Sequence, residues 1–97
     1  MFEWDDKKNK KLKKERNISF EEIIKAVASG GLIDVLYHPN REKYPNQKLL
    51  IVNLKGYAWV VPFEERGDKL RLITAYPSRK FTKRYLRRKD ELGEGKA

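Results

Sequence analysis

Residues 48–63, KLLIVNLKGYAWVVPF, decide the fold of this chain. Two apolar runs, Lys48–Leu54 and Tyr57–Phe63, flank a Lys-Gly dipeptide, and a short turn with glycine at positive φ would join them as a β-hairpin. The second run is apolar on both faces of the strand, so we expect the sheet to be covered on both sides, at least in part. Pro62 has no backbone N–H, which predicts a sheet edge or a bulge beside it.

The sequence that follows the hairpin predicts one more strand and then a basic helix. Residues 64–68, EERGD, are typical of a turn, and Lys69–Tyr76 reads as a strand. Ser78 can cap a helix from Arg79 to Lys89, RKFTKRYLRRK, which contains seven basic residues and no acid. The two aromatic residues of this helix are four positions apart, so they share its apolar face.

Two helices are predicted upstream of the hairpin. Ser19 and Glu22 form the S-x-x-E capping box of a helix that ends at Ser29-Gly30-Gly31. Its apolar residues recur at helical spacing: Phe20, Ile23, Ile24, Val27 and Ala28. An earlier helix from Asp5 to about Arg16 has acids at its start and cations at its end, where the helix dipole favours them.

Together these elements predict an α+β fold in the order ααββββα. Leu32–His38 supplies the first strand of a four-stranded antiparallel meander sheet, which follows two N-terminal helices in the chain and precedes a C-terminal basic helix. Residues 1–92 would form a single domain, and 93–97 would be a disordered tail.

Composition and charge narrow the class of protein. The net charge of +9 divides into +3 over residues 1–19, +1 over 20–76 and +5 over 77–97, so a near-neutral folding unit lies between cationic segments. Such charge attracts phosphate-rich partners. The absence of cysteine excludes disulfides and thiolate chemistry. No apolar run approaches the roughly 20 residues that span a bilayer, so we expect a cytoplasmic protein with no membrane partner.

The cationic segments predict contacts with RNA or DNA. The candidate nucleic-acid-binding residues are Lys8 and Lys11 on the first helix and Lys80, Lys83 and Arg84 on the last. A solvated helix face is the alternative, and for the first helix the two interpretations weigh equally. For the last helix the alternative is weaker, because cations fill even its first turn, where the helix dipole disfavours them.

Three residues are candidates for catalysis of RNA cleavage. A ribonuclease that uses no metal needs a base for the ribose 2′-hydroxyl and cations that stabilise the phosphorane. Arg71 and Arg79 suit the second task, since the guanidinium fork matches phosphate oxygens, and we expect them to meet in one groove. His38 is the only histidine and could act as base or acid. The alternatives are a solvent-facing strand residue for Arg71, a surface cation for Arg79, and a structural or incidental residue for His38.

Other kinds of chemistry find little support in the sequence. With one histidine and no cysteine, no spacing of metal ligands is present, and the Gly30-Gly31 pair lacks the lysine and hydroxyl residue of a phosphate-binding loop. We therefore expect no metal and no cofactor.

The order of the elements and several short motifs resemble the BrnT family of type II toxins, small ribonucleases similar to the RelE fold. Trp4-Asp5 and Lys8 match the family's opening W-D-x-x-K. Residues 15–20, ERNISF, are similar to its K-H-G-V-x-F run, and residues 71–76, RLITAY, to its R-I-I-S-A-R strand, which a basic helix follows. The resemblance covers nearly the whole chain.

This resemblance implies a toxin of a type II toxin-antitoxin system. The expected activity is a metal-independent endoribonuclease that cleaves RNA, mRNA foremost, and that a cognate antitoxin neutralises. Any DNA contact would be made only through the complex with the antitoxin. Arg71 and Arg79 would bind the scissile phosphate, while Lys8, Lys80 and Lys83 would hold flanking phosphates.

Two departures from the family pattern leave alternatives open. Glu15-Arg16 replaces the family's Lys-His pair, and Tyr76 replaces the arginine after S-A, so that Arg79 is the next candidate. One alternative is a non-catalytic RNA-binding protein or the toxin-fold subunit of a DNA-binding repressor complex. The other is a protein-interaction module with aromatic anchors. Those anchors would be Tyr57, Trp59 and Tyr76.

Overall fold

The computed structural model of the protein describes residues 1–87. Its strands are β1 (Phe2–Glu3), β2 (Leu32–Tyr37), β3 (Gln47–Leu54), β4 (Tyr57–Arg66), β5 (Lys69–Leu72) and β6 (Tyr76–Pro77). Its helices are α1 (Asp6–Arg16), α2 (Phe20–Ala26) and α3 (Arg79–Phe81), and wider π-type turns extend α2 over Val27–Gly31 and α3 over Thr82–Arg87. The last two residues of the predicted basic helix, the predicted domain end at 92 and the predicted tail at 93–97 lie outside the described residues.

The predicted α+β class is confirmed, but the sheet is larger than a four-stranded meander. Its order is β1-β5-β4-β3-β2, and β6 pairs with the first half of β4. β1 is parallel to β5, with Phe2 opposite Leu70 and Glu3 opposite Arg71, and the other pairs are antiparallel. A two-residue strand shows no alternation in sequence, because its pairing depends on a partner almost 70 positions away.

A bulge divides the predicted fourth strand into β5 and β6. Between the pairs Phe63–Leu72 and Val60–Tyr76, two residues of β4 oppose the three residues 73–75. The carbonyl of Pro62 accepts the N–H of Ile73 at 2.9 Å. Pro62 has no N–H to return on that side of the ladder. Of the two alternatives predicted beside this proline, a sheet edge or a bulge, the structure shows the bulge.

The central hairpin forms as predicted, and the turn that follows β4 is shorter than predicted. Lys55 and Gly56 both have positive φ, 56° and 83°, which suits the right-handed twist of a two-residue hairpin. β4 continues to Arg66, three residues beyond its predicted end. Gly67, with φ of 61°, and Asp68 suffice for the next turn, so the acids before them remain in the strand.

Helices cover both faces of the sheet, as its apolar pattern predicts. On one face, here called the α1–α2 face, the buried residues are Leu12, Ile18, Phe20, Ile23, Leu50, Val52, Val61, Phe63, Leu72 and Ala75. On the other, the α3 face, they are Leu49, Ile51, Ala58 and Val60, and the residues packed on them include Phe81, Tyr85 and Leu86. Phe81 and Tyr85 therefore face the core, as expected.

A buried amide joins α1 to α2. Asn9 is 5% exposed, its Oδ1 accepts the N–H of Phe20 at 2.8 Å, and its Nδ2 donates to Glu21 Oε1 at 2.8 Å. The second bond lowers the pKa of the Glu21 carboxyl below its usual value. The capping box of Ser19 and Glu22 is present beside it. These bonds satisfy backbone donors at the start of α2 and fix the angle of α1.

Two polar side chains dock α3 on the sheet. The buried hydroxyl of Thr82 donates to the carbonyl of Ser78 at 2.7 Å and accepts the N–H of Ala58 at 2.8 Å. The Tyr85 hydroxyl donates to Asp34 Oδ2 on β2 at 2.9 Å. This hydrogen bond to a carboxylate raises the pKa of Tyr85, so the Tyr85 hydroxyl keeps its proton near neutral pH.

Candidate nucleic-acid interface

A cleft of about 310 Å³ lies between α1 and the bulge of the sheet. We call it the α1 cleft. Its lining residues are Lys8, Lys11, Leu12, Glu15, Arg16, Ile73 and Thr74. Residues of the first helix and residues almost 60 positions later in the chain therefore form one site.

Local structure explains why these residues meet. Positions 8, 11, 12 and 15 follow the helical spacing i, i+3, i+4 and i+7, so they share one face of α1. Leu12 is buried and anchors that face on the sheet, which leaves charged side chains around it. The bulge interrupts the ladder at Ile73 and Thr74, and the chain there lines the opposite wall.

A second cavity of about 230 Å³ adjoins the α1 cleft. We call it the aromatic cavity. Its lining residues are Arg16, Asn17, Ile18, Glu22, Leu54, Lys55, Tyr57 and Trp59. Arg16 borders both cavities, because Asn17, with a left-handed φ of 57°, ends α1 between them. We call the α1 cleft and the aromatic cavity together the groove. It combines cations with two half-buried aromatic side chains, and single-stranded nucleic acids bind to such cations and stack on such rings.

The charge of the α1 cleft is positive and exposed. Lys8, Lys11 and Arg16 surround a single acid, Glu15, and all four side chains are exposed. Within residues 1–87, no ion pair shorter than 4.0 Å involves any of them. The lining therefore carries more positive than negative charge, and its cations are accessible to a phosphate group.

Arg71 lies outside this cleft. It sits between Leu70 and Leu72 on β5 and points to the α3 face, since both leucines pack on the α1–α2 face. Its Nη1 is 3.5 Å from Oε2 of Glu3, and its side chain is 32% exposed. The predicted phosphate ligand is thus already paired with an acid of the parallel strand.

Arg79 is far from Arg71, and the expectation that the two meet in one groove is wrong. Arg71 pairs with Glu64, whereas Ser78 donates its N–H to the carbonyl of Ala58 at 2.9 Å. Glu64 and Ala58 are six residues apart along β4, a separation of about 20 Å. The segment between the arginines runs along β4, so its two ends lie at opposite ends of that strand.

His38 joins neither arginine nor the α1 cleft. Its Nδ1 accepts the N–H of Asn40 at 3.0 Å, and its ring lies 4.5 Å from that of Tyr44. The backbone N–H of His38 donates to the carbonyl of Gln47 in β3. Since Gln47 pairs with Glu64 and Glu64 with Arg71, His38 and Arg71 lie three strand spacings apart, about 14 Å.

The predicted nucleic-acid-binding residues divide between the two faces of the sheet. Lys8 and Lys11 line the α1 cleft. Exposed cations follow α3 on the opposite face: Arg79, Lys80, Lys83 and Arg84. The protein therefore presents two separate cationic surfaces.

The aromatic anchors considered for a protein-interaction module are also divided. Tyr57 and Trp59 are half-buried in the aromatic cavity. Tyr76 is 40% exposed and pairs with Val60, a residue of the α3 face. The three rings do not form one patch.

Several residues of the groove carry no role in the sequence-based prediction. Glu15 and Arg16 enter there only as a departure from a family motif, and Thr74 only as part of a strand. The spacing of positions 8, 11 and 15 was a usable signal, because it places them on one helix face. The contribution of the bulge had no such signal beyond Pro62.

The described residues also lack a cluster of metal-binding side chains and a membrane-spanning helix. From residue 1 to 87, no three His, Asp or Glu side chains lie close enough to hold a metal ion. No helix in this range is long and apolar enough to cross a membrane.

Comparison with known proteins identifies one family. A family model described as ribonuclease toxin, BrnT, of type II toxin-antitoxin system matches residues 4–84. No curated protein and no solved structure matches the chain. The matched range contains every residue of the α1 cleft and of the aromatic cavity.

Proposed function

The chain belongs to the BrnT family of ribonuclease toxins of type II toxin-antitoxin systems, and from this premise we propose that it cleaves RNA in the α1 cleft without a metal ion. One observation supports the α1 cleft as the place of cleavage. The two segments similar to the family's internal motifs, 15–20 and 71–76, are remote in sequence, yet Arg16 and Thr74 line the same cleft. Parts of both family-like segments thus lie beside the accessible cations of the α1 cleft.

The cations of the cleft have a direct role in this proposal. Lys8, Lys11 and Arg16 hold the scissile phosphate and stabilise the negative charge that grows on its oxygens in the transition state. Arg16 is the central residue, because its planar fork can contact two phosphate oxygens and it borders both cavities. Tyr57 and Trp59 offer rings for the neighbouring base of a single-stranded RNA such as mRNA.

The remaining candidates have supporting roles. The exposed cations of α3, with Arg79 at their start, hold phosphates of the RNA that flank the cleavage site. Arg71 and His38 have structural roles, the first through its ion pair with Glu3 and the second through Asn40 and Tyr44.

Membership of the family implies an antitoxin as partner. We propose that an acidic or amphipathic segment of this antitoxin covers the α1 cleft. Opposite charge would guide it to the same cations that hold RNA, so toxin and antitoxin contacts compete. Any contact with DNA is made by the antitoxin within the complex.

The experiment that tests this proposal is cleavage of a mixed-sequence single-stranded RNA in EDTA. We expect discrete cuts by the wild-type protein and a loss of about 100-fold or more in rate for Arg16→Ala. Arg41→Ala removes an equal charge from an exposed loop residue and serves as the control. Its rate should match that of the wild type.

Three results would contradict the proposal. Cuts that appear only with added Mg²⁺ would remove its metal independence. An Arg16→Ala variant as active as the wild type would move the site elsewhere. Binding of RNA without any cut would favour a non-catalytic RNA-binding protein.

A further inference from the structure

The α1 cleft contains one acid whose role is still unassigned. Glu15 lies four residues after Lys11 on α1, a spacing at which opposite charges on a helix commonly pair. In the part of the chain that the structure describes, Glu15 has no ion pair within 4.0 Å. An exposed carboxylate thus stands among three cations, in the cavity where a phosphate would bind.

The other groups that could accept a proton are engaged or remote. Glu22 completes the capping box of α2 and borders the aromatic cavity. Glu21 accepts a hydrogen bond from Asn9, and Glu3 pairs with Arg71. His38 lies across the sheet, on the far side of β3 and β4 from the bulge. Glu15 is the acid that lines the α1 cleft itself.

We propose that Glu15 is the general base of RNA cleavage, an assignment that rests on the proposed ribonuclease function. Its carboxylate takes the proton of the ribose 2′-hydroxyl, and the 2′-oxygen forms a bond to phosphorus. The bond from phosphorus to the 5′-oxygen breaks, and the leaving oxygen takes its electron pair together with a proton from solvent water or a neighbouring ammonium group. The products are a 2′,3′-cyclic phosphate and a 5′-hydroxyl, and Glu15 returns its proton to water.

The neighbouring residue completes this chemistry. Arg16 follows Glu15 directly and supplies a permanent positive charge for the phosphorane oxygens. Glu15 and Arg16 thus offer a base and a permanent cation on consecutive residues that line the same cleft.

A substitution that removes the charge of Glu15 distinguishes a general base from an acid that only repels RNA. Glu15→Gln keeps the shape of the side chain, removes the base and makes the cleft more positive. If Glu15 only repelled RNA, the variant would bind RNA more tightly and cleave it at least as fast. If Glu15 is the base, binding is equal or tighter while the cleavage rate at saturating protein falls by about 100-fold or more.

The test is therefore single-turnover cleavage and RNA binding, measured side by side in EDTA. The probes are a single-stranded RNA that contains the mapped cleavage site and the same RNA with one 2′-deoxy sugar at that site. We expect the second RNA to bind but to stay intact. Glu15→Asp should recover part of the rate. Glu42→Gln makes the same chemical change at an exposed loop residue and should cleave like the wild type.

The outcomes distinguish this inference from the proposed function. A wild-type protein that makes no cut would remove both. Wild-type cuts that Glu15→Gln makes at an equal or higher rate would overturn the role of Glu15 and leave the ribonuclease standing. Products that carry a 5′-phosphate and a 3′-hydroxyl, or cleavage of the 2′-deoxy RNA, would also overturn it, because the 2′-hydroxyl would then not be the nucleophile.

Discussion

At the scale of single residues, buried polar side chains determine how the helices meet. Asn9 uses both ends of its amide, one for the N–H of Phe20 and the other for the carboxylate of Glu21. An unpaired N–H at a buried helix start lowers the free energy of unfolding, so the Asn9 amide stabilises the folded protein by pairing it. Its position in turn fixes the face of α1 that carries Lys8, Lys11 and Glu15.

Asn9→Ala should lower the free energy of unfolding by roughly 1–3 kcal/mol, since the N–H of Phe20 loses its partner inside the protein. Urea denaturation at neutral pH measures this change. Asn46→Ala, at an exposed loop position, is the matched control and should change the free energy of unfolding by no more than about 0.5 kcal/mol. Equal effects of the two variants would mean that the amide does not join α1 to α2.

At the scale of elements, the features that depend on near neighbours are the ones predicted correctly. The capping box of α2, the Lys55-Gly56 hairpin and the bulge beside Pro62 all follow from chemistry within a few residues. β1 was missed because its pairing partner is distant in sequence. The need for glycine at position 31 comes only partly from distant packing, because a Cβ there would lie 2.7 Å from the carbonyl oxygen of Ala26 and 2.9 Å from that of Asn53 on β3.

The docking of α3 predicts a pH dependence of stability. The Asp34 carboxylate raises the pKa of Tyr85 in the folded protein, so folding favours the protonated hydroxyl. This stabilisation is complete below pH of about 10, the usual pKa of tyrosine, and is lost as pH rises through the raised pKa. Tyr85→Phe should therefore be less stable than the wild type at pH 8, by roughly 1 kcal/mol for the lost hydrogen bond.

Urea denaturation of the two proteins at pH 8 and above pH 10 measures this dependence. The difference between wild type and Tyr85→Phe should shrink at the higher pH, while lysines titrate in both proteins and cancel. A difference that stays constant or grows with pH would show that the hydrogen bond to Asp34 does not dock α3.

At the scale of the whole molecule, the sheet separates two cationic surfaces. The sequence predicted most of the cations individually, but it could not predict which of them share a face. That depends on the packing of α1 against the bulge and of α3 on the opposite side. Arg71 and Arg79, close in sequence, are far apart, whereas Arg16 and Thr74, remote in sequence, line one cleft.

This separation permits the most direct test of the central claim, that RNA is cleaved in the α1 cleft. The measurement compares single-turnover cleavage at saturating protein by two double variants with equal charge change, Lys8→Ala/Lys11→Ala and Lys80→Ala/Lys83→Ala. We predict that the first loses about 100-fold or more in the rate of cleavage. The second should keep that rate, bind RNA more weakly and show a smaller salt dependence of binding. The opposite pattern, with the α3 variant inactive and the cleft variant fully active, would contradict this claim and place the site on the α3 face.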